Sequence, residues 1–413
     1  MLRLHQNNAL TSVNAPTSRR QDRWFFCKRL IRSHKAGGTP VAERRRTASH
    51  SSLTAANRHG GGALDRRRSG EVNFSHIVKQ VAGGYRGSAD LAEEEAHALF
   101  AAMLDGGVPD LELGAILTAL HMKGESTSEL LGVHRAVAER LYPLRAPPGR
   151  LRPLVVPAYG GARTEHNMLP LLGMLLRRLG VPVLFHGTLE GSGRVASAYV
   201  LRELGIMPSA TLAQAQKTLD EELLVYVPLA ALCPGLASML ALRHRLGTRN
   251  TAHTAAKLIE PFEGCGVRLS GASSDEQLAR LAAFFAATDG SALLLRSTEG
   301  EPFADPRRRP RIEWFEHGER TVLFEEEAGP VKPIAALPAS LDAHATAAWT
   351  RQALDGGAPI PHPLVNQLAC CLYVSGYTED MNQAKAIAAV ETGSLGPAGR
   401  GPHRDRAQHV APR

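Results

Sequence analysis

Residues Leu154 to Arg163, LVVPAYGGAR, run from a buried-strand pattern into a glycine pair, and a long apolar segment follows. Strand, tight turn and helix make the usual frame for a phosphate cradle, because exposed backbone N–H groups at a helix start attract anions. The turn carries Tyr159, Gly160, Gly161 and Arg163, where a catalytic phosphate site would want a carboxylate and small residues. A second loop of the same layout runs from Phe185-His186-Gly187 to Gly191-Ser192-Gly193, with Arg194 behind it. Two such loops in one α/β unit read as the remains of a sugar-phosphate pocket. Arg163 and Arg194 either hold an anion there or pair with Glu165 and Glu190. His186 is a former ligand contact or, more simply, a structural histidine at a strand end.

Arginines gather in three further places. Arg307, Arg308, Arg309 and Arg311 sit on a loop after Pro302 and Pro306, just before Trp314 and Phe315. Guanidinium groups beside aromatic rings suit backbone phosphates and stacking on unpaired bases; the bland alternative is a solvated loop. Arg243, Arg245 and Arg249 surround a helix start near Gly247-Thr248, at spacings that one helix face cannot hold, so a loop must gather them. There the alternative is an emptied substrate pocket that retains its arginines. Arg145, Arg150 and Arg152 flank Pro147-Pro148-Gly149, where they extend a basic track or serve as ordinary linker charge. These ten arginines are the expected nucleic-acid-binding set. Glu325-Glu326-Glu327 is a solvated run that repels phosphate and bounds any such path.

The elements that must position these residues follow from periodicity. Phe74, Ile77, Val78 and Val81 have helical spacing. Asp90 is the expected N-cap of a helix whose first turn is Glu93-Glu94-Glu95 and which Gly106-Gly107 ends. Pro109 opens a third helix to about Met122, and Ser126 with Glu129 forms a capping box for a fourth. Lys123 reads as decoration of a helix end. From Leu151 the texture changes: strands are expected at 153–157, 181–186 and 223–228, each followed by helix, which implies a parallel sheet. Strands at 267–270 and 291–296 flank a helix at 275–287, and 311–316 with 320–325 makes a hairpin around His317-Gly318. Helix returns at 340–355 and 363–392.

Bulk properties set the limits. A chain of 413 residues suffices for two domains. No stretch approaches the apolar length of a membrane span. The five cysteines, 27, 233, 265, 370 and 371, form no metal-ligand pattern, and a reduced cytoplasm fits them best; no metal and no cofactor are expected. The net charge of +8 is uneven: residues 1–70 carry 15 Lys and Arg against 3 acids, residues 396–413 carry 4 against 1, and 71–395 stand at −7. Residues 1–71 are expected to be a disordered basic extension and 396–413 a disordered tail, since neither composition offsets ordering entropy. Translation from an alternative start at Val72 is the other account of the first segment.

Met122-Lys123-Gly124-Glu125 with Glu129 and Gly132 resembles the helical-domain signature of anthranilate phosphoribosyltransferases. The glycine loop, the His-Gly loop, Arg243 to Arg249 and Asn366 to Gly376 follow in that family's order, so the resemblance covers about 74–395. It implies an α/β fold with a small all-helical N-terminal domain, 72–146, completed by helices from about 340 to 392. A larger α/β domain with a mainly parallel central sheet, 151–338, accompanies it, in a homodimer through the helical domain.

The departures fall on the chemistry. The family grips phosphoribosyl pyrophosphate with Gly-Thr-Gly-Gly-Asp, and this chain has Ala158-Tyr159-Gly160-Gly161-Ala162. Phe185 replaces the lysine of Lys-His-Gly-Asn. The adjacent Asp-Glu pair that holds magnesium is matched by Thr298-Glu299-Gly300-Glu301, without adjacency, and Arg-Thr-x-Phe-Asn becomes Arg249 to His253. Losing the lysine, the aspartate and the pair together costs on the order of 5 kcal/mol in binding. The same departures resemble the YbiB-type branch, which implies a dimeric nucleic-acid-binding protein with little sequence preference; from the arginine clusters, single-stranded DNA or RNA held mostly through phosphates is the expected ligand, with no catalytic residues. A transferase acting on another phosphorylated sugar is the rival expectation, and an anion-binding sensor or scaffold a weaker one.

Overall fold

The computed structural model describes residues 73–83, 87–191, 193–331 and 337–394. The expectations for 1–71 and 396–413 lie outside these residues.

Four helices open the described chain: α1 (Phe74–Ala82), α2 (Glu93–Leu104), α3 (Asp110–Lys123) and α4 (Thr127–Ala138). Asn73 caps α1 by accepting the His76 N–H at 3.1 Å. The capping box of α4 forms as its sequence requires, with the Ser126 N–H donating to Glu129 at 2.8 Å and the Glu129 N–H to Ser126 Oγ at 3.3 Å. Asp90 does not cap α2; Glu95 accepts the Ala92 N–H there, at 3.0 Å. Asp90 instead accepts from Lys123 Nζ at 2.6 Å, and Lys123 also reaches Glu129 at 2.7 Å. Glu129 is buried and takes the Leu91 N–H as well, at 2.9 Å, so Lys123 is the counter-charge of a structural acid. A Cβ on Gly132 would lie 2.3 Å from the Glu93 carbonyl, so only glycine lets α2 and α4 meet this closely.

The sheet follows, with its helices: β1 (Leu154–Ala158), α5 (Leu169–Arg178), β2 (Val183–Gly187), α6 (Ser197–Glu203), α7 (Leu212–Glu222) and β3 (Leu224–Pro228). Next come α8 (Leu229–Leu232), α9 (Pro234–Ala241), α10 (Arg243–Leu246), α11 (Thr251–Ala256), β4 (Val267–Ala272), α12 (Asp275–Ala286) and β5 (Ser291–Arg296). The chain continues through β6 (Ile312–Glu316), β7 (Glu319–Phe324), α13 (Ala343–Leu354), α14 (His362–Val374) and α15 (Met381–Glu391). Strand order is β3-β2-β1-β4-β5-β6-β7. The first five are mutually parallel, and β6 and β7 add an antiparallel hairpin to the β5 edge. The turn between them holds His317 and Gly318 at positive φ, 52° and 78°, as a two-residue hairpin loop of matching twist demands.

Side chains alternate between the two faces of the sheet. Leu154, Val156, Phe185, Leu269 and Leu293 face one core, which α5, α6, α13, α14 and α15 complete through residues such as Leu171, Leu201, Trp349 and Leu368. Val155, Leu184, Val225 and Val227 face the other, with the N-terminal helices and α9 and α11. Contrary to the expectation from sequence, helices 343–391 therefore do not complete the helical domain; they cover the α/β sheet. The segment after β3 takes that place, with Leu236, Met239, Ala252 and Ala255 packed among α2, α3 and α4. Apolar spacing shows that a helix has a buried stripe but not which surface receives it.

Candidate anion site at the switch point of the sheet

Chain direction reverses its march across the sheet between β1 and β4, and such a switch point opens a crevice outside the carboxyl ends of the strands. The loop after β1 lies there. Its backbone forms the expected cradle of N–H groups, and the protein's own carboxylates fill it. Glu301, on the loop after β5, accepts the Gly160 N–H at 2.9 Å and the Gly161 N–H at 2.5 Å. Glu299 accepts the N–H groups of Arg163 at 2.6 Å and Thr164 at 3.0 Å, and the Thr164 hydroxyl at 2.6 Å. A longer bond comes from the Glu165 N–H at 3.4 Å.

The turn that delivers both acids is narrow. Thr298 and Glu301 bridge it, Gly300 has φ 94°, and Glu299 itself has φ 53°. Left-handed backbone in a residue with a Cβ costs roughly 1–2 kcal/mol, which the hydrogen bonds donated to the Glu299 carboxylate offset. Gly160 is fixed by the contact: a Cβ there would lie 3.0 Å from the Gly300 carbonyl carbon. The two acids titrate in opposite directions. Burial pushes Glu301 up, against the Gly161 N–H, Lys257, the Gly160 N–H and Arg249. Burial also pushes Glu299 up, but the Thr164 hydroxyl and the N–H groups of Arg163, Thr164 and Glu165 outweigh it and hold that carboxyl low.

Cations collect around this plug. Arg194 donates to the carbonyls of Gly161 at 3.4 Å and Glu299 at 3.3 Å. Burial lowers Arg249, and the positive charges of Arg243 and Arg194 lower it further, against Glu301. Lys257, which donates to the Gly271 carbonyl at 3.2 Å, is pushed down to about 8 by burial and Arg249, against Glu301. His253 is pushed down to about 3 by burial, then by Arg249 and Arg243. Arg194, Arg243, Arg249 and Lys257 thus share one field with a single buried carboxylate inside it. Among the described residues the side chains of Arg243 and Arg249 make no ion pair and no hydrogen bond, and Glu301 is the acid whose charge acts on Arg249. That is an unbalanced positive surface, able to take phosphates.

Other residues singled out in the sequence are placed differently. Tyr159 and His186 lie beneath the loop rather than in it: the Tyr159 hydroxyl meets His186 Nδ1 at 2.8 Å, and His186 is fully buried. Burial pushes the histidine down to about 3, so it is a neutral structural group. Gly187 is dictated by strand contact, since a Cβ there would lie 2.1 Å from the Ala158 carbonyl oxygen. The Arg163 side chain is exposed at the rim.

The basic run is committed within the fold. Arg307 pairs with Glu165. Arg308 donates to the Gly329 carbonyl at 2.6 Å, and Arg309 donates to the Glu325 carbonyl at 3.2 Å and lies 5.0 Å over the Phe324 ring. Arg311 pairs with Glu313 at 2.7 Å. Arg245 pairs with Asp110 at 3.2 Å. Arg145, Arg150 and Arg152 precede β1, at the opposite end of the strands from the cradle, and Arg152 is held by Glu316 at 3.0 Å. The three clusters therefore do not form one track along a protomer; Arg243, Arg249, Arg194 and Arg163 remain at the crevice. Sequence reasoning misses Lys257, because a lone lysine inside a helix-to-strand link carries no signal.

Of the four carboxylate oxygens where the resemblance implies a magnesium pair, both of Glu299 and Oε1 of Glu301 accept from N–H or hydroxyl donors, and Glu301 Oε2 is buried without a partner. Among the described residues no group of three or more His, Cys, Asp or Glu is placed to hold a metal, and no helix is long and apolar enough to cross a membrane.

Comparison with known proteins gives a consistent picture. Residues 75–141 match the glycosyl transferase family helical bundle domain. The protein YbiB of Escherichia coli K12 is 42% identical over 306 residues, spanning 74% of this chain and 95% of that one. The anthranilate phosphoribosyltransferase of Methanosphaerula palustris is 26% identical over 324 residues, spanning 77% and 95%. Among solved structures, the Thermus thermophilus anthranilate phosphoribosyltransferase superposes with a TM-score of 0.62 at 23% identity, covering 77% of this chain and 94% of that one. The Saccharomyces cerevisiae enzyme, in complex with PRPP and Mg, gives 0.60 at 14% identity, covering 78% and 93%.

Proposed function

This chain belongs to the YbiB branch of the anthranilate phosphoribosyltransferase-like superfamily, and on that footing we propose that it binds single-stranded nucleic acid and no longer transfers phosphoribose. The observation that carries the reading is the pair Arg243 and Arg249, cations in no ion pair or hydrogen bond among the described residues, next to Arg194 and Lys257 at the crevice, with buried Glu301 the acid in their field. Phosphates of a strand crossing the crevice would neutralise them, with Arg163 at the rim. A buried field of like charges attracts polyanions without reading bases, so little sequence preference follows. The rival, a transferase for another phosphorylated sugar, needs the loop N–H groups that Glu299 and Glu301 hold. A cytoplasmic location accompanies the reading.

The test is salt dependence. For single strands, log affinity falls by about 0.7 per log unit of salt for each phosphate contacted, so three contacts give a slope of about −2. Fluorescence anisotropy with a labelled oligonucleotide measures it, on the full chain and on the chain beginning at residue 71, because the first seventy residues alone carry a surplus of 12 positive charges. Salt-independent affinity, or binding that vanishes with the first seventy residues, would refute the proposal.

Homodimerisation through the helical domain belongs to the same reading. Leu111 and Met122 on α3 are 82% and 80% exposed, and they flank an open groove of about 750 Å³ that Val81, Ala115 and Leu246 also line. An apolar strip of this kind is best covered by a second copy. Substituting Leu111→Glu with Met122→Glu is expected to halve the mass measured by light scattering and leave the thermal transition in place. An unchanged mass would remove α3 from the interface.

A further inference from the structure

We infer that Glu299 and Glu301 determine specificity by acting as an internal ligand: they fill the diphosphate cradle so that small phosphorylated molecules find no seat. The inference stands on the cradle itself and does not need nucleic acid to bind. Four features support it. The donors are those an anion would use, the N–H groups of Gly160, Gly161, Arg163 and Thr164, and each is taken by a carboxylate oxygen. Glu301 is 1% exposed, and its Oε2 has no hydrogen-bond partner, so its burial is not explained by its own bonding needs. The turn, closed by paired Thr298 and Glu301 with Glu299 and Gly300 at left-handed backbone, sends both carboxylates to the amides of the loop after β1. Finally, the surrounding cations, Arg194, Arg249 and Lys257, outnumber the buried acid, as expected where an anion of greater charge is the natural complement.

The consequence is selectivity by shape. A free diphosphate needs an enclosed cradle of amides to compensate the loss of its hydration. A strand needs only the rim arginines, because many phosphates share the work. With the cradle filled from within, metabolites carrying phosphates do not compete with the polymer.

Calorimetry with inorganic pyrophosphate, without magnesium, tests this on the full chain. Wild type is expected to show no saturable binding at millimolar ligand. Glu299→Ala combined with Glu301→Ala is expected to bind at least about tenfold more tightly. Glu190→Gln is the charge control, since Glu190 is exposed on the second loop and holds none of these amides. Equal affinity in wild type and double variant overturns the inference, and so does absence of binding in both or an equal gain in Glu190→Gln. If the double variant lacks a thermal transition, Glu299→Ala alone, at the half-buried position, is judged by the same outcomes. Oligonucleotide affinity of the wild type is measured alongside: its absence would sink the nucleic-acid reading while leaving the plug untouched.

Discussion

Charge reversal of Arg243 and Arg249 together is expected to weaken single-stranded DNA binding by at least about a hundredfold at physiological salt. Each guanidinium that meets a phosphate supplies a charge-assisted hydrogen bond worth roughly 1.5–3 kcal/mol, and two of them account for the loss. The slope of log affinity against log salt should flatten by about 1.4, two contacts at about 0.7 each. Neither side chain makes a hydrogen bond or ion pair among the described residues, but reversal at Arg249 sets a like charge beside buried Glu301, so a thermal scan of the double variant separates lost binding from lost folding. Arg245→Glu is the comparison: that guanidinium already faces Asp110 at 3.2 Å, and its reversal should change affinity by less than about threefold. Anisotropy titrations of the three proteins decide the matter. Equal losses in Arg245→Glu and the double variant would show a diffuse field rather than a site.

Restoring the family's lysine at Phe185 is expected to unfold the protein, not to revive a phosphate site. Phe185 is fully buried on β2, between Val156 of β1 and Tyr226 of β3. Its ring also fills the space above Gly173 of α5, where a Cβ would come within 2.5 Å of it. Removing a buried phenyl group costs about 3–5 kcal/mol. An ammonium in the same apolar core adds a desolvation penalty that no carboxylate there repays. The total is a third or more of the stability typical of a domain. Urea denaturation of Phe185→Lys should place its midpoint far below that of wild type; a shift of only a few tenths molar would show that the side chain escapes to the crevice.

Phe185 also marks how far the sequence could be read. A run such as Val-Pro-Val-Leu-Phe-His is legible as a strand buried on both faces, and the same holds for the strands at Leu154, Leu224, Val267 and Ser291. The hairpin at His317-Gly318 is legible because turn chemistry is local. Ser126 and Glu129, three residues apart, are legible for the same reason. Contacts between distant segments are not. Glu299 and Glu301 look like carboxylates left over from a metal pair, and only the fold carries them across some 140 residues of chain to the Gly160-Gly161 amides. The run from Arg307 to Arg311 looks like the strongest polyanion site because charges add along a sequence. Its partners, Glu165, Glu313 and the backbone near Glu325, come from a separate loop and from the hairpin pairing that follows the run. Arg243 and Arg249 are the reverse case: the sequence marks them as one arginine cluster among three, and they stand out once the fold leaves them outside any ion pair among the described residues.

The two outer strands of the sheet have a consequence for how copies of this chain can meet. Along β3, the segment at Pro208 and Ser209 bridges to Tyr226, the Ser209 N–H donating to the Tyr226 carbonyl at 2.9 Å. Along β7, the exposed side carries Glu319 and Arg320, with the acidic residues after Phe324 beyond them. One border is already occupied and the other is fenced with charge, the usual protections against strand addition. Fibril-like or continuous-sheet growth from the folded protein is therefore disfavoured at both borders.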